Sequence, residues 1–110
     1  MAYDEQLAER IRALTAEDAD VAEKPMFGGL AFLVNGNMAL AARSGGGVLV
    51  RVDPADSAAL ERAAHVSPML MRGRPTDGWL TVDEGGVRRA ADLATWVERG
   101  VSYARGLPPK

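Results

Sequence analysis

Tyr3, Leu7, Ile11 and Leu14 recur at steps of four, four and three, with Asp4, Glu5, Glu9 and Arg10 between them. That spacing lines the apolar side chains along one stripe and predicts an amphipathic helix over residues 3–15. The period is lost across Thr15–Asp20, and the pattern changes from Lys24. Leu30–Val34 is a nearly continuous apolar run, too short for a helix and bounded by glycines, which predicts a central strand. Asn35-Gly36 supplies the two positive-φ residues of a type I′ turn, so Met38–Arg43 should return antiparallel to that strand. After a second turn at Ser44-Gly45-Gly46-Gly47, Val48–Val52 alternates: Val48, Val50 and Val52 share one face, Leu49 and Arg51 the other.

Asp53-Pro54 starts a second helix, with Asp53 as N-cap and Pro54 preorganised at the first helical position. Ala59, Leu60, Ala63 and Ala64 form its expected stripe. Pro68–Arg72 and Trp79–Asp83 read as two further strands, joined by a turn over Gly73–Gly78 whose Pro75 and Asp77-Gly78 favour reversal. Asp83–Gly86 breaks the sheet. A last helix carries Leu93, Trp96, Val97, Gly100, Val101 and Ala104 on one stripe and stops before Pro108-Pro109. The order is helix, three strands, helix, two strands, helix. Hairpin-linked strands with helices between groups predict an α+β fold, a single antiparallel sheet of about five strands with helices packed on it. Residues 1–110 read as one domain, without internal repeat or linker.

Composition narrows the chemistry. The 110 residues include no cysteine and one histidine, which removes disulfides, thiolate nucleophiles, iron–sulfur clusters and the common zinc sites. No apolar run approaches the roughly 18–20 residues of a spanning helix, and the acidic start is unlike a secretion signal, so the expectation is a cytoplasmic protein without membrane contact. The formal charge of −2 hides an asymmetry. Residues 1–23 hold two arginines against seven carboxylates, a net −5, while residues 24–110 carry a net +3.

Each familiar catalytic pattern lacks a part. Gly28-Gly29 and Ser44–Gly47 match neither the dinucleotide fingerprint nor a Walker loop. Ser44, His65 and a carboxylate are the residue types of a nucleophilic triad, but no GxSxG elbow is present. His65 instead reads as a cation near a helix C-terminus. The carboxylates have capping, turn or solvation roles, and no pair is singled out for acid–base work. The expectation is therefore no catalytic residue, no metal and no cofactor.

Two features remain. Strand parity puts Arg51 and Trp79, with Leu49 and Thr81, on the face opposite the valines. If helices cover one side of the sheet only, that face is open to a partner, because Trp and Arg are enriched at interaction hot spots. Arg72, Arg74, Arg88 and Arg89 flank turns and are candidates for an anion or nucleic-acid patch.

Lys24-Pro-Met-Phe-Gly-Gly-Leu-Ala-Phe-Leu-Val-Asn-Gly-Asn-Met38, Leu49-Val-Arg-Val52, Met71-Arg-Gly-Arg74, Gly78-Trp79 and the ending Leu107-Pro-Pro-Lys110 resemble the N-terminal domain of the TfoX/Sxy family. The resemblance extends over nearly the whole chain. It implies a small α+β fold in the order derived above, as a stand-alone copy of that domain. Two-domain relatives in that family regulate natural competence and act with the cyclic-AMP receptor protein, and the family brings no catalytic residue or cofactor. The resemblance thus implies a non-enzymatic regulatory or interaction module, a transcription or competence co-regulator working through protein partners such as the transcription machinery. Direct nucleic-acid binding through the arginine-bearing turns, and a small-molecule-binding protein or minor enzyme using the open sheet face, are the alternatives. Homodimerisation through the same face is a further expectation.

Overall fold

The computed structural model describes residues 3–26 and 28–110. Phe27, within the Met-Phe-Gly-Gly stretch, and the first two residues lie outside the described residues. The fold is α+β. One open sheet of six antiparallel strands carries helices on one side, with strand order β1-β2-β3-β4-β6-β5. The strands are β1 (Val21–Met26), β2 (Gly29–Val34), β3 (Asn37–Ala42), β4 (Val48–Arg51), β5 (Val66–Met71) and β6 (Arg74–Val82). The helices are α1 (Glu5–Leu14), α2 (Ser57–Leu60, preceded by a 3₁₀ turn at Pro54–Asp56), α3 (Glu84–Val87) and α4 (Ala90–Arg105).

The strand count is six where about five were expected, and β1 is the addition. Its sequence, Val-Ala-Glu-Lys-Pro-Met, is mostly exposed and has no apolar alternation. It is an edge strand, paired on one side to β2, and a proline is tolerated only where its missing N–H faces away from the ladder. Asp20 presents its carbonyl toward β2, accepting from Asn35 N–H at 3.3 Å. Alternation then turns the backbone of Val21, Glu23 and Pro25 outward. The other edge, β5, is built the same way. The His65 carbonyl accepts from Asp83 N–H on the β6 side at 3.0 Å, so Pro68 directs its nitrogen outward. Both rims of the sheet therefore carry a proline on the solvent side, which blocks a seventh strand.

Asn35 and Gly36 have φ of 51° and 86°, the type I′ pair expected at this hairpin. The second hairpin differs from its expectation. Arg72 (φ 54°) and Gly73 (φ 80°) make the turn, and Pro75–Asp77 already belong to β6. Gly78 (φ 86°) lies where the β5–β6 register shifts between Pro68 and Leu70, so it serves a bulge and not the reversal. The second helix is also shorter than expected. Its α-helical part ends at Leu60, and Ala59, Ala63 and Ala64 are exposed. What anchors this segment is Ser57, buried, whose Oγ accepts from Gly78 N–H at 2.6 Å. Asp53 caps the 3₁₀ turn by accepting from Ala55 N–H at 2.9 Å.

The core lies between the sheet and the helices. Phe32, Leu40, Val50 and Leu80 form one row across β2, β3, β4 and β6, each fully buried, and meet Ile11 of α1 and Leu93 and Val97 of α4. Register shifts where Phe32 pairs with Leu40 and Leu33 with Met38, leaving Ala39 as the extra residue of a bulge. Ala39 and Leu40 are consequently both buried in succession. Above that bulge, α4 carries Gly100. A Cβ there would stand 2.5 Å from the Ala39 carbonyl oxygen and 3.3 Å from Val50 Cγ1. The absence of a side chain lets helix and bulge meet backbone to backbone.

The chain end is fastened to the central hairpin. Asn37, buried, donates from Nδ2 to the Pro108 carbonyl at 2.9 Å, and Lys110 N–H donates to the Asn35 carbonyl at 2.9 Å.

Candidate interaction face

Antiparallel partners project to the same side of a sheet, so the register assigns every strand residue to a face. Opposite the core row, Lys24, Ala31, Ala41, Leu49, Thr81 and Ser67 form one line across all six strands. Toward one end of the strands the same face carries Ala22, Leu33 and Met38 across β1, β2 and β3, and, separately, Arg51 with Trp79 across β4 and β6. Met26 and Gly29 begin another line at the other end, where Arg43 follows β3.

α4 packs on β2, β3 and β4 through its buried stripe, and that stripe joins the valine face, opposite these lines. Met26, Leu33, Met38, Ala41, Leu49 and Met69 are accordingly half-buried. A shallow concavity of about 230 Å³ lies among Met26, Met38, Leu49 and Met69, with Ser44 and Arg43 at its edge. The four described methionines, at 26, 38, 69 and 71, are all absent from the core. Methionine is unbranched and polarizable, and a surface built from it adapts to the shape of what it meets.

Arg51 and Trp79 are brought together as direct cross-strand partners. The guanidinium carbon of Arg51 lies 5.0 Å from the Trp79 ring centroid and 5.8 Å from that of Tyr103 on α4. Arg51 sits at the end of β4, where its long side chain links the sheet face with the last turns of α4. The stacking holds the indole and the guanidinium in one orientation at the end of the methionine surface.

The other four arginines separate into two pairs. Arg72 is in the β5–β6 turn and Arg74 opens β6, whereas Arg88 and Arg89 follow α3, beyond the far end of the same strand. The nine residues of β6 span about 26 Å at about 3.3 Å per residue. Arg88 is tied to α1 through its carbonyl, which accepts from Arg10 Nη2 at 3.1 Å. Arg72 and Arg74 instead lie next to Leu70 and Met71, which are 60% and 55% exposed.

His65 has φ of 71° and stands beyond the short α2, so it does not cap a helix C-terminus. Its Nδ1 lies 2.7 Å from Asp83 Oδ1, with the ring against the backbone of Gly85 and Gly86. Asp83 is itself the N-cap of α3, accepting from Gly86 N–H at 3.2 Å. Ser44 belongs to the methionine concavity, while His65 and Asp83 line a separate open cleft with Arg43, Glu84 and Arg88. The Ser–His–carboxylate types therefore do not converge as a triad. Among the described residues, no group of three His, Asp or Glu side chains could hold a metal ion, and no helix is long and apolar enough to cross a membrane.

The helix-bearing side carries two arginine–carboxylate clusters. Arg12 Nε donates to Glu23 Oε2 at 2.6 Å, and Arg12 also pairs with Glu9; these carboxylates, Glu23 foremost, raise the guanidinium's pKa. Arg105 forms a fork with Asp20, Nε to Oδ2 at 2.7 Å and Nη2 to Oδ1 at 2.9 Å, and that hydrogen bonding holds the Asp20 carboxyl below its ordinary pKa.

The family model described as the TfoX N-terminal domain matches residues 13–104. No curated protein and no solved structure matches the chain.

Proposed function

Because the chain belongs to the TfoX N-terminal domain family, we propose that it is a non-enzymatic interaction module that meets a protein partner through the helix-free face of its sheet, in a regulatory role in transcription or competence. The observation that carries this reading is the group of half-buried side chains Met26, Leu33, Met38, Ala41, Leu49 and Met69 on a face to which no described helix is packed. Contiguous apolar surface of a few hundred Å² on a folded domain marks interaction sites. Five inter-strand steps of about 4.8 Å give the whole face, polar margins included, a width of about 24 Å, and two row spacings of about 6.7 Å a depth of about 13 Å. The adjacent Arg51–Trp79 pair adds the residue types that dominate binding energy at interfaces.

The test is affinity capture from lysate of the source cells with the full chain and with Leu49→Glu. Leu49 is only half-buried, so the substitution charges the face without entering the core. The expected result is a protein, identified by mass spectrometry, that the parent chain retains and the variant loses, while circular dichroism and Tm stay unchanged. Equal retention by a folded Leu49→Glu would refute the assignment of the face.

A further inference from the structure

The sulfur of this protein is confined to methionine, and the fold keeps methionine out of its core. The sequence contains no cysteine. The core cluster is built from Leu, Ile, Val, Phe, Ala and Trp, with no methionine among the described residues. Met26, Met38 and Met69 come from β1, β3 and β5, are each half-buried, and line the same concavity of about 230 Å³ on the helix-free face. Met71, two residues on from Met69, is 55% exposed. A thioether inside a packed core is sheltered from a dissolved oxidant. One beside an open concavity is within reach of a molecule as small as hydrogen peroxide, and access of this kind governs which sulfurs are oxidised.

We propose that Met26, Met38 and Met69 form a reversible oxidation site, at which a peroxide converts thioethers to sulfoxides and turns the helix-free face from apolar to polar while the fold stays intact. The regulatory consequence, loss of the partner, rests on reading that face as the docking surface; the chemistry does not. In the forward step a sulfur lone pair attacks the peroxide, the O–O bond breaks and an S–O bond forms. Sulfur is oxidised by two electrons and the peroxide is reduced, its second oxygen leaving as water from hydrogen peroxide or as an alcohol from an organic peroxide. In the reverse step a thiol-dependent methionine sulfoxide reductase supplies two electrons, its thiol pair becoming a disulfide as the oxygen leaves as water. A sulfoxide is polar and accepts hydrogen bonds, so a partner's apolar side chains would cover a group that must first give up its water. The core is insulated from the change, because side chains alternate across the pleat and Phe32, Leu40, Val50 and Leu80 lie on the other side. Three sites around one concavity make the loss of apolar surface collective.

The full chain is treated with hydrogen peroxide at neutral pH, and peptide mapping by mass spectrometry follows the gain of oxygen at each methionine. Met71 serves as the internal reference for an open site. Met26, Met38 and Met69 are expected to react within about tenfold of its rate, with circular dichroism unchanged and a cooperative thermal transition retained. Protection of any of the three until urea unfolds the chain, or loss of the native spectrum on oxidation, would overturn the proposal, and neither result depends on a partner. The protein captured by the parent chain should be retained about tenfold less, or weaker still, by the oxidised chain and regained after treatment with the two epimer-specific sulfoxide reductases. Met26→Leu/Met38→Leu/Met69→Leu, which nearly conserves side-chain volume, should retain it equally with and without peroxide. A folded, oxidised chain that still holds a protein lost by Leu49→Glu would overturn the regulatory consequence and leave the docking face standing. A protein held equally by Leu49→Glu would overturn the docking face, while the mapping still decides the oxidation site.

Discussion

Gly100→Ala tests the packing of α4 on the sheet, because the two energies involved have opposite signs. In an exposed helix interior the substitution is favourable by about 1 kcal/mol, since alanine loses less backbone entropy than glycine. Here a Cβ would lie 2.5 Å from the Ala39 carbonyl oxygen, 3.2 Å from its carbonyl carbon and 3.3 Å from Val50 Cγ1. The closest atom belongs to the backbone of a bulge in a central strand, so it cannot rotate away as a flexible side chain would. Accommodating the methyl group requires α4 to lift from β3, and overpacking against rigid backbone at this distance falls in the upper part of the usual range, about 2–3 kcal/mol. With the propensity gain subtracted, Gly100→Ala should destabilise the protein by about 1–2 kcal/mol, which lowers Tm by roughly 4–12 °C for a domain of this size. Urea unfolding followed by circular dichroism measures it, with Ser102→Ala, two residues on and exposed, as the control. The control should gain a few tenths of a kcal/mol from propensity alone. A Gly100→Ala protein as stable as the parent, or more so, would refute the close approach of helix and bulge.

Three further outcomes follow from the fold. Ser57→Ala removes the acceptor of the buried Gly78 N–H and should cost about 1–3 kcal/mol in urea unfolding; a smaller loss means that the amide finds another partner. Asp20→Asn should lower the urea midpoint at pH 7. The carboxyl's folded pKa lies below its unfolded value, so its contribution is present above about pH 3.9 and disappears as pH falls through the folded value; midpoints of parent and variant should converge in acid, and a gap that persists there would refute the role of the charge. Pro68→Thr restores an outward N–H on β5 and should raise concentration-dependent self-association in light scattering, with monomeric behaviour at all concentrations counting against the protective role of the proline.

Where the sequence patterns are imposed by backbone geometry they carry through to the structure. Asn35-Gly36 is such a case, because few residue pairs accept positive φ twice in succession. The face shared by Arg51 and Trp79 follows likewise from the pleat, which fixes parity once a strand is recognised. The misreadings have equally specific causes. β1 has no apolar period to detect, since an edge strand buries little and a proline at its rim argues locally against any strand. Arg72 has no preference for positive φ, so the local pattern favours a turn at Asp77-Gly78, although its glycine serves a bulge. Alanine fits surface and core alike, which made the stripe expected at Ala59–Ala64 uninformative. The methionines of the open face were invisible as a group, because they come together only when β1 and β5 take their places at opposite rims.

The prolines at the two rims set the valence of the molecule as well as its shape. An open sheet with two free edges can in principle polymerise strand by strand, each addition exposing a fresh template; here neither edge propagates. On the proposed reading one broad side remains for a partner, and a single side would close at a one-to-one complex. Association there would be driven by removing methionine and leucine surface from water, without new backbone hydrogen bonds, and would carry the negative heat-capacity change of apolar burial. A fold that terminates its own sheet at both ends in this way leaves side chains, and not backbone edges, as the groups a partner would read.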